Sequence, residues 1–234
     1  MNFSIATSLK EVQASWGIVY RQYLKNHFID PNPYQLFTFP EYISSNSITL
    51  MGIKDQECLC TISAVADSSN GLPLDKVFKP ELDGLRSQGK TLIEVGLSAS
   101  QEDPRCSGMD IIRMMGYIGK YSIYHQNADL VIGVPPRKVK FFERLFGYQV
   151  VSQLSAYKSL QKAPVVLLHA SHQKVKNLQL PLILDALKAP YTDLFHQRFD
   201  FAPEKYANTQ LDKFLQETWN LQSFKSESTL LIAS

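Results

Sequence analysis

The sequence predicts an α/β (α+β) chain in which helices flank a mixed central sheet, with a helical extension at the C-terminal end. Two strand-like runs, 47–53 and 57–66, are separated only by the turn Lys54-Asp55-Gln56 and read as an antiparallel hairpin. Residues 91–157 then alternate strand, helix, strand, helix, strand, which sets 91–98 beside 129–134 in parallel through a right-handed crossover. Beyond residue 170 the apolar pattern turns helical. The 234-residue length suits one sizeable domain, 1–170, and an extension, 171–234, packed on it.

The elements follow in order. Residues 9–28 carry Val12, Trp16, Val19, Tyr20, Tyr23 and Leu24 at helical spacing, and Asp30-Pro31-Asn32-Pro33 ends that helix. A loop rich in Tyr, Phe and Pro leads to the hairpin. Asp67-Ser68-Ser69-Asn70-Gly71 is a second loop, and 74–88 is helical through Val77, Phe78, Leu82 and Leu85, with Pro80 allowing two short pieces. A long helix is expected over 108–126, an apolar strand over 129–134, a helix over 137–146 and a strand over 147–157. A last strand at 165–169 precedes the extension, whose 203–221 stretch lines up Leu211, Phe214, Leu215, Thr218 and Trp219 on one face.

Composition narrows the classes. With 44% hydrophobic and 20% charged residues, the chain can bury a core and is neither disordered nor collagen-like. Lys and Arg total 24 against 22 Asp and Glu, so a net +2 gives no general pull toward nucleic acid, and a charged partner must meet a local patch. The apolar run 163–168 falls far short of the ~18 residues that would span a bilayer. The start MNFSIATSLKEV lacks the basic and apolar regions of a secretory signal, so a cytoplasmic location is expected. Cys58 and Cys60, two apart in a strand, should share a face as small core residues.

Strong catalytic motifs are missing: there is no GxxxxGK[ST], GxGxxG, HExxH or CxxC. Gly96-Leu97-Ser98-Ala99-Ser100 departs from a nucleophile elbow, because Ser100 stands where the second glycine belongs. His169 and His172 have no carboxylate or cysteine nearby in sequence, and no metal site is expected. Three features remain. The strand at 91–98 runs through a loop into a helix beginning near Ser107 and Gly108, where free backbone N–H groups would suit a phosphate, Gly108 would admit it and Arg105 would add charge. The same residues also serve as an ordinary helix cap. Glu94 interrupts an apolar strand, sharing a face with Leu92 and Gly96 while Ile93, Val95 and Leu97 share the other; the acid there is exposed on a wet face, hydrogen-bonded or functional. Arg137, Lys140 and Arg144 recur at i, i+3 and i+7 as a basic stripe opposite Val139, Phe142, Leu145 and Phe146.

Several strings, in this order, carry a resemblance. They are Tyr20-Arg21-Gln22-Tyr23-Leu24 with Asp30-Pro31-Asn32-Pro33, then Asp67 to Asp75 (DSSNGLPLD), then Glu81-Leu82-Asp83-Gly84-Leu85-Arg86 with Gly89-Lys90. Glu94-Val95-Gly96-Leu97-Ser98 follows, then Pro136-Arg137 leading to Phe141-Phe142-Glu143-Arg144-Leu145-Phe146-Gly147-Tyr148, and Lys162 to Leu168 (KAPVVLL). Over roughly residues 12–170 the chain resembles the GCN5-related N-acetyltransferase (GNAT) superfamily, and within it the long-chain N-acyl amino acid synthases, relatives of the acyl-homoserine-lactone autoinducer synthases.

That resemblance implies a mainly antiparallel sheet and an acyltransferase without a metal or tightly bound cofactor. It implies transfer of a fatty acyl group from the phosphopantetheine thioester of acyl-carrier protein to the amine of a small-molecule amino acid, with no nucleic-acid partner. Glu94 would be the base or amine-positioning group, and backbone N–H groups at Leu97, Ser98 and Ala99 would hold the thioester and its oxyanion. Arg105, Ser107 and Gly108 would meet the pantetheine phosphate, Phe142 would line the arm, and Arg137, Lys140 and Arg144 would dock the carrier protein. Two residues depart from the family pattern. Asp110 takes the last small position of the phosphate loop and repels a coenzyme A pyrophosphate, and Phe142 stands at a common tyrosine position and has no proton to give. Acetyl- or acyl-coenzyme A as the donor, and a non-catalytic binding module of the same fold, are the alternatives these departures motivate.

Overall fold

The computed structural model describes residues 1–125, 127–178, 183, 186, 195 and 197–219. Eight strands form the sheet: β1 (Asn2–Ile5), β2 (Ser47–Lys54), β3 (Glu57–Ala66), β4 (Leu92–Ser100), β5 (Asp129–Val134), β6 (Gln149–Val150), β7 (Ser155–Tyr157) and β8 (Ala163–Ala170). They run in the order β1-β2-β3-β4-β5-β8-β6, with β7 on β8, and every pairing is antiparallel except β4 with β5. The hairpin and the parallel crossover are thus as the sequence predicts. β1 is an element the periodicity missed, since four residues hold too little pattern to read. The expected strand over 147–157 is two short ones, because Ser152 leaves the ladder and its hydroxyl accepts the Leu167 N–H at 2.9 Å.

Among the described residues six helices cover the two faces: α1 (Leu9–Lys25), α2 (Asp75–Ser87), α3 (Gly108–Tyr124), α4 (Val139–Phe146), α5 (His172–Lys176) and α6 (Gln210–Trp219). Ser8 and Glu11 close a capping box at the start of α1, which satisfies N–H groups that a helix end otherwise leaves bare. α2 is two helical pieces that meet at a kink at Phe78 (φ −128°, ψ 34°), two residues before Pro80, so the break that the proline allows is present. The expected helix over 203–221 is a 3-10 turn, Pro203–Lys205, followed by α6; residues 220 and 221, like Gln126 at the end of the expected 108–126 helix, lie outside the described residues.

Trp16, Phe78, Leu82, Leu92, Leu211, Phe214 and Leu215 pack on one face of the sheet, joining α1, α2 and α6 in a single core. Ile62, Ile93, Val95, Met114, Ile118 and Phe146 form the core on the other face with α3 and α4. Phe201 stacks on Trp16 at 5.8 Å and the Phe199 N–H reaches Ala6 O at 2.9 Å on the α1 side, while Val175 of α5 is buried in the core on the α3 side. Among the described residues no helix is long and apolar enough to cross a membrane.

Two bulges reverse side-chain directions that strict alternation predicts. The β2–β3 register shifts between Gly52 and Ile53, so Cys58 packs against the α1-side core while Cys60 is buried in the other; they do not share a face. On β4 the register shifts opposite Ile62, and Leu97 adopts φ +50°. Leu97 therefore joins Leu92 in the α1-side core instead of Ile93 and Val95.

Candidate active site

The site begins where β4 and β5 part. Their ladder runs from Leu92↔Asp129 to Val95↔Ile132 and stops, just before the bulge at Leu97. Past that point β5 stays paired to β8 as far as Val134↔Val166, while β4 follows β3. The two strands diverge like a fork, and a cavity of about 100 Å³ opens between them. Glu94, Gly96 and Leu97 line it from β4, Gly133 and Val134 from β5. Each branch thus presents a glycine to the opening. A Cβ at Gly96 would collide with the Tyr42 hydroxyl, and one at Gly133 would stand 2.7 Å from a Leu74 methyl.

Glu94 lies at the base of the fork, 4% exposed, so the wet-face alternative does not hold. Its Oε2 accepts the Leu74 N–H at 2.8 Å. Leu74 is brought there by the 67–75 loop, which Arg86 clamps: its guanidinium holds Asp67 at 2.6 and 3.0 Å and Asp75 at 2.7 and 2.8 Å. Asp75 in turn accepts the Leu72 N–H at 2.7 Å. Two strings that carry the family resemblance are in this way one ion cluster behind the candidate base.

Burial pushes the Glu94 carboxyl well above the usual carboxylate range; the Leu74 N–H opposes that, while Glu41 and Asp75 add to it. Five aromatic rings complete the wall: Tyr23, Phe28, Phe39, Tyr42 and Tyr157. Burial, with Glu94 nearby, lifts Tyr23 to about 12 and pushes Tyr42 and Tyr157 upward too, so all three phenols stay protonated at neutral pH. The Tyr157 hydroxyl donates to Pro73 O at 2.9 Å, whereas the Tyr42 hydroxyl is buried with no hydrogen-bond partner among the described residues. The sequence marks Tyr23 as a helix-face residue and Phe39 and Tyr42 as part of a loop crowded with Tyr, Phe and Pro; nothing in it marks Phe28, Tyr157 or Gly133 as lining a site.

The other sequence-derived candidates scatter. Ala99 is buried and Ser98 exposed beyond the bulge. Arg105, Ser107 and Gly108 do stand at the start of α3, but the Arg105 guanidinium is shared among Asp103 (2.7 Å), Glu57 (2.5 Å) and Asp55 (3.4 Å). That leaves it no unbalanced charge for a phosphate, and it holds Asp103 down at about 2. Asp110 turns back to accept the Ser107 N–H at 2.9 Å, filling the anion position at this helix start with its own carboxylate. Phe142 packs with Phe146 and Tyr148 and is not part of the cavity wall. Arg137, Lys140 and Arg144 are all exposed.

His169 and His172 do have a carboxylate partner, contrary to the sequence expectation. Asp129 Oδ2 lies 2.8 Å from His169 Nε2, and Oδ1 lies 2.9 Å from His172 Nδ1. This cluster sits where β5 begins, at the other end of that strand from the fork. Among the described residues no group of three or more His, Cys, Asp or Glu side chains could hold a metal ion.

Comparison with known proteins agrees with this architecture. The structure of FeeM, an N-acyl amino acid synthase from uncultured soil microbes, superposes with a TM-score of 0.68 at 20% identity, covering 76% of this chain and 95% of that one. The CoA-dependent acyl-homoserine lactone synthases BjaI and MesI each give 0.56 at 9% identity, covering 79% and 80% of this chain and 99% and 93% of theirs. At such identities the likeness establishes the fold. No curated protein sequence matches the chain. The family described as N-acyl amino acid synthase FeeM matches residues 14–171, which take in the fork, Glu94 and the Arg86 clamp. By that match the chain belongs to the FeeM family of N-acyl amino acid synthases, and it is an N-acyltransferase of the GNAT fold.

Proposed function

We propose that this enzyme moves a fatty acyl group from the phosphopantetheine thioester of an acyl-carrier protein to the amine of an amino acid. The observation that carries the reading is the buried Glu94 at the base of a cavity opened by the β4–β5 fork. An acyl transfer of this kind needs a base for the amine and donors for the thioester oxygen, with water kept away. The raised Glu94 carboxyl is suited to take a proton and to return it.

In the proposed step the amine lone pair attacks the thioester carbon and the carbonyl electrons move onto oxygen. The backbone at the bulge, at Leu97, faces that oxyanion. When the C–O double bond re-forms, the C–S bond breaks and its electron pair leaves with sulfur. Glu94 takes the proton from nitrogen and passes it to the thiolate, so the products are an amide and a thiol. No proton is asked of Phe142.

For the donor, the features at the start of α3 favour a carrier protein over free coenzyme A. With Arg105 neutralised and Asp110 in the anion position, a pyrophosphate gains little there. A carrier protein brings its own contacts, for which exposed Arg137, Lys140 and Arg144, with the half-exposed Phe141 ring among them, provide a basic face with an apolar centre.

The test is mass spectrometry of lipid extracts from a bacterial host overexpressing the enzyme, with Glu94→Gln as control. The expected result is an N-acyl amino acid that disappears in the control. The same amide at an equal level in both would remove Glu94 from the chemistry. A folded, abundant protein that yields no amide in the host, yet acylates amines from added acyl-coenzyme A, would replace the carrier-protein donor with coenzyme A.

A further inference from the structure

Within the transferase reading above, on which this rests, we propose that the Tyr42 hydroxyl is a catalytic hydrogen-bond donor to the thioester oxygen as it becomes an oxyanion. Tyr42 ends a 3-10 turn, Pro40–Tyr42, whose backbone is fixed on both sides: the Tyr42 N–H donates to Phe39 O at 3.1 Å, and the Ser47 hydroxyl donates to Tyr42 O at 2.7 Å. The ring is therefore aimed, not adjustable. It is 1% exposed, lines the cavity with Glu94, and its hydroxyl finds no partner. A buried hydroxyl left without a bond costs free energy that folding alone gives no reason to accept. That hydroxyl lies against Gly96, the residue before the bulge, in the space a Cβ would otherwise fill. A side chain at position 96 would evict it, so the glycine and the tyrosine make one arrangement.

The chemistry suits a donor that keeps its proton. Burial, reinforced by Glu94, Tyr157, Tyr23 and Glu41, holds the phenol well above its ordinary range, so it stays neutral at neutral pH. A phenol held above its ordinary range is suited to donate a hydrogen bond without giving up its proton. It forms a hydrogen bond that strengthens as charge develops on oxygen, and it ends the cycle with its own hydrogen, so the proton balance between nitrogen, Glu94 and sulfur is unchanged.

The experiment compares wild type with Tyr42→Phe, which removes one oxygen atom and keeps the ring. Turnover is followed with an acyl thioester and the acceptor amine, and the bound carbonyl is read by infrared difference spectroscopy on a ¹³C-labelled acyl-pantetheine analogue carrying an amide in place of the thioester. Loss of one such donor should lower kcat about 100-fold with KM unchanged. The labelled carbonyl stretch should lie lower when bound to wild type than to the variant. Because the hydroxyl has no partner to lose, the melting temperature should stay equal or rise, which a structural role would not give. Equal kcat and equal carbonyl stretch in the two proteins overturn the Tyr42 assignment and leave the transferase standing. A wild-type protein that neither binds the analogue nor turns over thioester overturns both.

Discussion

Burying the Glu94 carboxyl costs stability, and the cost has a sign that can be measured. An unfolded glutamate titrates near its ordinary value of 4.5, while burial in the fork raises the folded value well above it. Below the unfolded value both states are protonated, and the residue contributes no difference. As pH rises through the folded value, the native state must hold a charge that the unfolded state holds more easily, so stability falls. Glutamine in the same place still accepts the Leu74 N–H and carries no charge. Glu94→Gln should therefore melt close to wild type at about pH 5 and above it at about pH 9, each kcal/mol relieved being worth about 2–4 °C in a chain of this size. Thermal melts at the two pH values check it, and a variant that melts lower at high pH would mean the carboxylate is stabilising. The acid was legible in the sequence because it breaks an apolar run. Tyr42 was not, because a tyrosine in an aromatic loop differs from its neighbours only in what its hydroxyl fails to touch.

At the scale of elements, legibility followed length. α1, α3, the hairpin and the parallel crossover hold enough residues for a period to show, and each was anticipated. β1, β6 and β7, of two to four residues, were missed or merged, since pairing partners and not periodicity define them. The bulges escaped for a deeper reason: alternation counts residues, and one extra residue inverts everything after it. That error put Leu97 on the wrong face and hid that β4 opens at that point. The start of α3 shows the opposite case, a local rule that was readable but given the wrong ligand. Its anion is Asp110, which caps the helix, so the site is filled from within. Asp110→Asn keeps an acceptor for the Ser107 N–H and removes the charge. It should bind coenzyme A about two- to fivefold more tightly, the range expected from one charge near a helix N-terminus. Calorimetric titration of both proteins with coenzyme A measures this, and unchanged affinity would place the donor phosphates away from α3.

The molecule as a whole carries 24 basic and 22 acidic residues, so its overall field steers nothing, and recognition of a charged partner must depend on where charges are grouped. Much of the charge is already spent inside the chain: Arg86 on Asp67 and Asp75, Arg105 on Asp103 and Glu57, Lys76 on Glu41. The stripe on and before α4 is exposed instead, and it follows the strand that forms one branch of the fork. A carrier protein seated there would present its arm to the same opening that Glu94 lines. Reversing the stripe with Arg137→Glu, Lys140→Glu and Arg144→Glu together should lower kcat/KM for an acyl-carrier-protein donor at least about tenfold at low salt. The deficit should shrink as salt shortens the reach of each charge to about 10 Å or less. Acyl-pantetheine, which has the thioester and lacks the protein, should be used equally well by both enzymes, because none of the three side chains lines the cavity. Equal losses with both donors would mean that α4 supports the fork and not the partner. No loss with either would move the docking face to another part of the surface.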